Sequence, residues 1–161
     1  VLLPRAVHAA GSERIRVALI GCGGRGTTDA LFCLEADPAV EIFALADLFP
    51  DRVEQSLARL REKHAGRVTV TPETTFLGFD AFRRVMALPE VDLVMLLTPP
   101  GFRPAMVRAA VEAGKHLFVE KPGAVDPVGV RSLLESAALA ERKQRHGNAL
   151  QLADEVAQLG A

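Results

Sequence analysis

The chain has 161 residues and a formal net charge of -1. This length fits one domain with a short extension. The near-neutral charge and the lack of Trp and Tyr give no basis for binding nucleic acid or an anionic membrane surface. No apolar run approaches the roughly 20 residues of a membrane-spanning helix.

The N-terminal segment, residues 1–12, is apolar and rich in small residues. Val7-His8-Ala9 is similar to the small-x-small end of a secretory signal, although a charged start and a full apolar core are missing. Two interpretations stay open: the segment is the remnant of an export leader, or it is a poorly ordered N-terminal arm. We expect a cytoplasmic protein, or an exported one if the leader interpretation holds.

A glycine-rich motif follows the first predicted strand. The largely apolar run Ile15–Ile20 predicts that strand, and a helix is expected over about 26–36. Between them lie Gly21, Cys22, Gly23, Gly24, Arg25 and Gly26. In a strand–loop–helix unit, Gly21 permits a tight turn, Gly23 lets a pyrophosphate approach the backbone, and Gly26 lets the helix pack against the strand. The N–H groups and dipole of the helix start then favour a phosphate, so the motif predicts dinucleotide binding.

Asp47 ends the second predicted strand, residues 41–47, about 20 residues beyond the last glycine. At that place an acidic side chain accepts hydrogen bonds from the hydroxyls of the adenosine ribose. The alternative is a turn or cap residue before Pro50, where the next helix, over about 50–64, begins. We favour the ribose interpretation because the glycine motif, the spacing and the strand agree.

The remaining segments continue the alternation of strand and helix. We expect a short strand over 67–71, a helix over 79–86, a strand over 91–97, a helix over about 104–113, a fifth strand over 116–119 and a helix over about 126–145. In the last helix the predicted apolar face consists of Val130, Leu133, Leu134 and Ala137. Lys115 and His116, at the turn before the fifth strand, are expected on the surface. The alternation predicts an α/β fold: a doubly wound parallel sheet between two layers of helices.

The chain after this helix is polar and breaks at Gly147. Asn148 can cap a short amphipathic helix, so we divide the chain into an arm (1–12), a dinucleotide-binding domain (13–145) and a tail helix (146–161). A parallel sheet that ends at its fifth strand leaves an unpaired edge. We expect the tail helix or a partner subunit to cover this edge, which makes a homo-oligomer the expected assembly.

Two further polar segments end strands on the same side of the predicted sheet as the glycine motif. Thr98-Pro99-Pro100 follows the fourth strand, and Glu120-Lys121-Pro122 follows the fifth. Because ligands bind outside the carboxyl ends of the strands in such sheets, these segments and the motif predict one site. Cys22 and Cys33 have no partner at metal-ligand spacing, so we expect no metal and no disulfide framework and interpret both as small packing residues.

These motifs together resemble the N-terminal domain of the Gfo/Idh/MocA oxidoreductases, a family related to glucose-fructose oxidoreductase and inositol dehydrogenase. The resemblance covers about 14–142, most of the chain. It rests on residues 15–26, Asp47, residues 89–92, residues 98–100 and residues 113–122. It implies a Rossmann domain that binds NAD or NADP.

The resemblance also implies a role for each matched position. The glycine motif, 21–26, would hold the pyrophosphate, and Asp47 would hold the adenosine ribose. The pair Thr98-Pro99 would line the middle of the cofactor, and Glu120-Lys121 would lie beside the nicotinamide. Lys121 would be the catalytic residue, which contacts the substrate and helps to move the hydroxyl proton as a hydride passes to or from C4 of the ring. Its ammonium group could also stabilise a developing alkoxide.

Charge decides between the two nicotinamide dinucleotides. A 2′-phosphate would lie beside Asp47, and two like charges about 4 Å apart, at an effective dielectric constant near 20, repel by about 4 kcal/mol before screening. Leu48 and Phe49 supply no positive charge next to Asp47, and Arg52 lies one helical turn away. We therefore predict NAD in preference to NADP. Arg25 is expected either to reach a phosphate or to point to water.

The chain departs from the family in two places. By the resemblance, the family continues past about residue 142 into a sixth strand and then a substrate domain, which holds the acid/base histidine; from the residues that follow 142 we expect this C-terminal substrate domain to be absent. Gly101-Phe102-Arg103 stands where many relatives have a histidine. Two functions therefore stay open: the NAD(P)-binding domain of an oxidoreductase acting on a sugar- or polyol-like substrate, or a stand-alone dinucleotide-binding module without catalytic activity.

Overall fold

A computed structural model of the chain describes residues 14–144. The predicted arm (1–12) and tail helix (146–161) lie outside these residues. The strands are β1 (Ile15–Ile20), β2 (Val40–Asp47), β3 (Thr75–Leu77), β4 (Leu93–Leu96) and β5 (His116–Val119). The helices are α1 (Gly24–Ala36), α2 (Pro50–His64), α3 (Ala81–Met86), α4 (Arg103–Glu112) and α5 (Pro127–Gln144). None of these helices is both long enough and apolar enough to cross a membrane.

The described strands form one parallel sheet in the order β3-β2-β1-β4-β5. The strand order reverses between β1 and β4, so the connections that follow these two strands leave in opposite directions. A crevice opens between such connections at the carboxyl edge of the sheet, and ligands bind there in this class of fold. The predicted doubly wound α/β fold is confirmed.

Successive residues of β1 pack into two separate cores. Val17 and Leu19 contact the layer that contains α1 and α2, whereas Ala18 and Ile20 contact the layer that contains α3, α4 and α5. All four side chains are buried. A parallel strand covered on both faces is apolar at nearly every position, which explains why β1 reads as an almost continuous apolar run.

The third strand lies further along the chain than the sequence predicts. The segment 67–71 forms a single bridge, between Val68 and Ile42, and no regular pairing. A 3-10 turn at Pro72–Thr74 then redirects the chain, and β3 pairs with the end of β2. The prediction of a strand over 67–71 is therefore wrong. Its β-branched pattern reflects the burial of Val68 and Val70 rather than a paired strand.

The apolar face predicted for α5 is only partly correct. Leu133 is buried as expected, but the core also receives Ser136 and Ala140, while Leu134 is 48% exposed. Burial of Ser136 is possible because its hydroxyl donates to the main-chain carbonyl of Ser132, at 2.8 Å. Because a pattern of apolar residues does not include serine, the sequence does not predict that Ser136 is buried. The predicted buried face is therefore rotated about the helix axis relative to the observed one.

Lys115 is buried, although the sequence predicts it on the surface. It is 8% exposed, and its Nζ donates to the main-chain carbonyls of Leu88 (2.6 Å) and Val91 (2.9 Å). Burial lowers the pKa of its ammonium group, and the charges of Asp92 and Glu90 oppose that shift. Lys115 thus ties the turn before β4 to the turn before β5, at the edge of the sheet away from the carboxyl ends.

β5 lies at an edge of the sheet, and within residues 14–144 it pairs only with β4. Phe118 of β5 and Phe32 of α1 are exposed, and both line a shallow apolar depression together with Leu93 and Met95. An unpaired strand edge with apolar side chains favours a cover. That the tail helix or a partner subunit supplies this cover stays a prediction.

Gly26 carries the tightest packing constraint of the glycine motif. A Cβ at this position would lie 1.9 Å from the Gly21 carbonyl oxygen, whereas a Cβ at Gly24 would meet nothing within 4 Å. We predict that Gly26→Ala lowers the free energy of unfolding by about 3 kcal/mol, because no side-chain movement relieves a clash with the backbone. Gly24→Ala, the matched control, changes it by less than about 0.5 kcal/mol. Urea unfolding followed by circular dichroism measures both, and equal effects of the two substitutions would contradict this packing.

Candidate dinucleotide-binding site

A cavity of about 560 Å³ opens at the carboxyl edge of the sheet, among the loops that follow β1, β2 and β4. Small-molecule sites typically measure about 300 to 1,000 Å³. The residues predicted from the sequence that line this cavity are Gly21, Gly23, Arg25, Asp47, Thr98, Pro99 and Glu120. The structure therefore brings segments that are distant in sequence to one place.

The other predicted site residues lie outside this cavity. Cys22 and Gly24 line a neighbouring cavity of about 390 Å³ on the side of α2. Gly26 is buried where α1 approaches the loop. Lys121 is exposed and follows Glu120 directly, at the end of the fifth strand. The roles assigned to all these residues from the sequence stay predictions.

The backbone of the glycine motif leaves the start of α1 open. Gly21 has a φ of +100°, and a Cβ there would lie 2.7 Å from the main-chain carbonyl carbon of Leu97, so glycine is required. The helix begins at Gly24, earlier than predicted, with Gly23 at the N-cap position. No side chain caps this end, and its first turn contains no acidic residue. Because the first N–H groups of a helix lack intrahelical partners, they remain available to an anion.

Asp47 connects the end of β2 to the glycine motif. Its Oδ2 accepts a hydrogen bond from the Cys22 N–H at 2.7 Å, and its Oδ1 accepts one from the Phe49 N–H at 3.0 Å. The turn interpretation of Asp47 is therefore correct, and the ribose interpretation is compatible with it. Each carboxylate oxygen has a further lone pair, and the side chain lines the cavity.

Arg25 forms ion pairs with two carboxylates, so it differs from both expectations, a side chain that points only to water and one that is free to bind a phosphate. Its guanidinium donates to Asp29 at 2.9 Å and to Glu120 at 3.1 Å, which joins the first turn of α1 to the end of β5. Arg25 is largely exposed, and exposed ion pairs contribute little to stability. A bound phosphate could therefore replace Glu120 as the partner of Arg25 at small cost.

Arg103 joins two loops of the site, a role that its place in the sequence does not predict. It opens α4 and is 4% exposed. Its Nε donates to the Thr98 carbonyl at 2.8 Å, and its Nη1 donates to the carbonyls of Glu120 and Pro122. An arginine has five N–H donors in a fixed plane, which suits it to bridge several carbonyls. In the sequence nothing but its place in the segment 101–103, after the Thr98-Pro99-Pro100 motif, distinguishes Arg103.

Two aromatic rings lie at the open end of the cavity, and the sequence does not predict their place in the site. Phe79 and Phe102 are 72% and 49% exposed, and their ring centroids lie 6.4 Å apart. Both line the cavity, together with Phe82 and Met106. Exposed rings of this kind offer apolar faces to a flat heterocycle. Phe79 follows β3, so misplacing that strand hid its position at the carboxyl edge.

Cys22 is a buried, free thiol. Its Sγ lies 3.5 Å from the Ala46 carbonyl oxygen. Desolvation, with a smaller contribution from the charge of Asp47, raises the pKa of the Cys22 thiol to about 12. Among residues 14–144, no group of three or more His, Cys, Asp or Glu side chains is arranged to hold a metal ion.

Comparison with known sequences gives a match to a family described as "Oxidoreductase family, NAD-binding Rossmann fold", over residues 15–151. A glycosyl hydrolase family 109 protein of Streptomyces coelicolor is 32% identical over 144 residues, which cover 89% of this chain and 28% of that protein. A glycosyl hydrolase family 109 protein of Solibacter usitatus is 34% identical over 133 residues, which cover 82% of this chain and 29% of that protein.

Comparison with solved structures also gives oxidoreductases that bind a nicotinamide dinucleotide. An NAD-binding oxidoreductase from Klebsiella pneumoniae has a TM-score of 0.61 and 27% identity, and the match covers 83% of this chain and 33% of that one. KijD10, a 3-ketoreductase from Actinomadura kijaniata in complex with NADP and TDP-benzene, has a TM-score of 0.59 and 28% identity, with 81% and 35% covered. The chain thus spans roughly a third or less of the length of these relatives.

The raised pKa of Cys22 predicts an unreactive thiol. Because the thiolate is the nucleophile, iodoacetamide at pH 8 should alkylate Cys22 about 10³-fold more slowly in the folded chain than in urea. The rate in the folded chain should keep rising above pH 9, where the rate of an unfolded cysteine levels off. Peptide mapping by mass spectrometry measures both rates, and similar rates in the two states would contradict the burial of this thiol.

Proposed function

Since the chain belongs to the Gfo/Idh/MocA oxidoreductase family and its described residues form the NAD-binding Rossmann domain, we propose that it holds NAD in the cavity at the carboxyl edge. The glycine motif would hold the pyrophosphate, and Asp47 would accept hydrogen bonds from the adenosine ribose. The observation that supports this proposal most strongly is that the uncapped start of α1 lies beside the Asp47 carboxylate, which lines the same cavity.

The residues present fit such a ligand. A Cβ at Gly23 would meet nothing within 4 Å, so space is open where a pyrophosphate would approach the backbone. The absence of acidic residues from the first turn of α1 leaves its positive dipole end uncompensated for an anion. Phe79, which follows β3 beside the end of β2, supplies an exposed apolar ring at the cavity, which suits adenine.

Charge supports NAD over NADP. Asp47 would repel a 2′-phosphate, and the neighbouring Leu48 and Phe49 offer no compensating charge. The Arg52 guanidinium lies over the Phe49 ring, 4.8 Å from its centroid, and lines the cavity, so it would reduce the repulsion without cancelling it. The KijD10 structure contains NADP, which means that family membership alone does not choose between the two cofactors.

The reaction we propose is hydride transfer with a sugar- or polyol-like substrate. When bound, the nicotinamide supplies the hydride donor or acceptor at its C4. Lys121, exposed at the end of β5, would contact the substrate hydroxyl and hold its proton, and its charge would stabilise an alkoxide. The name of the glycosyl hydrolase family 109 relatives supports a sugar-like substrate, and the name of the 3-ketoreductase KijD10 supports hydride transfer with a carbonyl compound.

A second candidate is a dinucleotide-binding module that does not catalyse a reaction. Its supporting observation is that Lys121 lies outside the cavity and is exposed in the described part of the chain. A panel of sugars and polyols, assayed with NAD by absorbance of the reduced nicotinamide, separates the two candidates. Turnover supports the oxidoreductase, whereas tight NAD binding without turnover supports the module.

Gly23→Ala tests the placement of the pyrophosphate. Because a Cβ at Gly23 has room in the folded chain, the substitution should leave the free energy of unfolding unchanged within about 0.5 kcal/mol. It should weaken NADH binding at least about tenfold, since the methyl group blocks approach to the backbone. NADH fluorescence titration measures the affinity.

Gly66→Ala is the matched control for this test, because Gly66 also has open space but lies outside the cavity, in the turn after α2. It should bind NADH as the unmodified chain does. Absence of NADH binding by the unmodified chain would overturn the proposed function. Unchanged binding by Gly23→Ala would overturn the placement of the pyrophosphate.

The charge of Asp47 should set the cofactor preference. We predict that the unmodified chain binds NADH at least about tenfold more tightly than NADPH. Asp47→Asn keeps an acceptor oxygen for the Cys22 N–H but removes the charge, so it should reduce the preference and improve NADPH binding. Parallel fluorescence titrations measure both, and tighter NADPH binding by the unmodified chain would contradict the choice of NAD.

A further inference from the structure

Arg103 holds the two loops at the far end of the cavity in a fixed relation. Its Nε binds the Thr98 carbonyl in the loop after β4, and its Nη1 binds the carbonyls of Glu120 and Pro122 after β5. Since Arg103 is 4% exposed, its guanidinium is largely removed from water, and its donors are costly to leave without partners. The Arg103 side chain thus connects the loops that follow β4 and β5 through buried hydrogen-bond donors rather than through a surface contact.

The carbonyls of Glu120 and Pro122 flank Lys121 on both sides. A guanidinium bound to both fixes the main chain of Lys121, although the lysine side chain itself remains exposed. The Glu120 N–H donates to the Leu96 carbonyl at 3.1 Å, which joins this segment to the end of β4, and the Arg103 bond to Thr98 extends the connection into the loop beyond that strand. No other hydrogen bond in the described part of the chain joins Thr98 directly to this segment, apart from those made by Arg103.

The other end of the cavity is held by a separate set of bonds. The Gly21 N–H donates to the Ala46 carbonyl at 2.8 Å, and the Cys22 N–H donates to Asp47 at 2.7 Å. Neither bond involves Arg103. These bonds hold the glycine motif to the end of β2 without the bridge that Arg103 makes, and the link from the motif to Glu120 is the exposed Arg25 ion pair.

We propose that Arg103 is a positioning residue for the nicotinamide half of the cofactor site: it sets the Glu120-Lys121-Pro122 segment against the Thr98 loop. This inference rests on the proposed function, because it assumes that the dinucleotide lies with its nicotinamide toward Glu120. The site would then have two halves. The half that binds the adenosine and the pyrophosphate keeps its geometry without Arg103, whereas the half that binds the nicotinamide depends on Arg103 for its geometry.

The test compares two ligands that differ by the nicotinamide ring. ADP-ribose carries the adenosine, the pyrophosphate and the second ribose, whereas NADH adds the ring. Arg103→Lys retains the positive charge, but a single ammonium group is not a planar fork and cannot span both loops. We expect it to weaken NADH binding about tenfold and to leave ADP-ribose binding within about twofold. Arg103→Met should have the same selective effect, and a larger one.

Arg108→Gln is the matched control, because Arg108 lies on the same helix but is exposed and paired with Glu112. It should bind both ligands as the unmodified chain does. Calorimetry with ADP-ribose and fluorescence titration with NADH give the affinities, and thermal unfolding shows whether each variant is folded. Should Arg103→Met fail to fold, Arg103→Lys decides alone.

The outcomes separate the two claims. If the unmodified chain binds neither ligand, the proposed function fails and this inference fails with it. If it binds both, the inference is overturned when Arg103→Lys binds both as tightly as before, or loses both equally, since the second result indicates a general structural role. Selective loss of NADH affinity by a folded Arg103→Lys supports it.

Discussion

The site depends on the close approach of α1 to the loop that precedes it. Gly26 lies so near the Gly21 carbonyl that no Cβ fits between them, and a Cβ at Gly21 would likewise lie too close, at 2.7 Å, to the backbone of Leu97 after β4. These two contacts bring the start of α1 to the point where the strand order reverses. Two glycines thus determine, through the absence of side chains, that an uncapped helix end opens onto the crevice.

Polar bonds then complete the site around this approach. Asp47 ties β2 to the glycine motif, the Arg25–Glu120 pair spans from α1 to β5, and Arg103 joins the loops after β4 and β5. These contacts differ in the free energy that is lost when they break. Arg25 is exposed and can exchange its partner at small cost, whereas Arg103 is buried and cannot. The cavity therefore combines a fixed frame with one exchangeable charged contact at the position expected for a phosphate.

The sequence predicted the parts of this arrangement that depend on local pattern. The glycine motif, the apolar β1 and the position of Asp47 at a strand end follow from spacing alone, and the sheet class follows from alternation. It failed where a distant partner decides. Val68 and Val70 have the pattern of a strand because they are buried. Lys115 can be buried because two main-chain carbonyls accept hydrogen bonds from its ammonium group. Arg103 and Phe102 acquire their positions only when the loops after β4 and β5 meet.

The central claim is that a nicotinamide dinucleotide lies with its pyrophosphate on the start of α1. Amide hydrogen exchange of the whole chain, with and without saturating NADH, tests it most directly. We predict that NADH slows exchange at the amides of Gly23, Gly24 and Arg25, while the turn at Ala65–Arg67, remote from the cavity, exchanges as before. Unchanged exchange at these three amides under saturating NADH, or protection confined to another surface, would contradict the account.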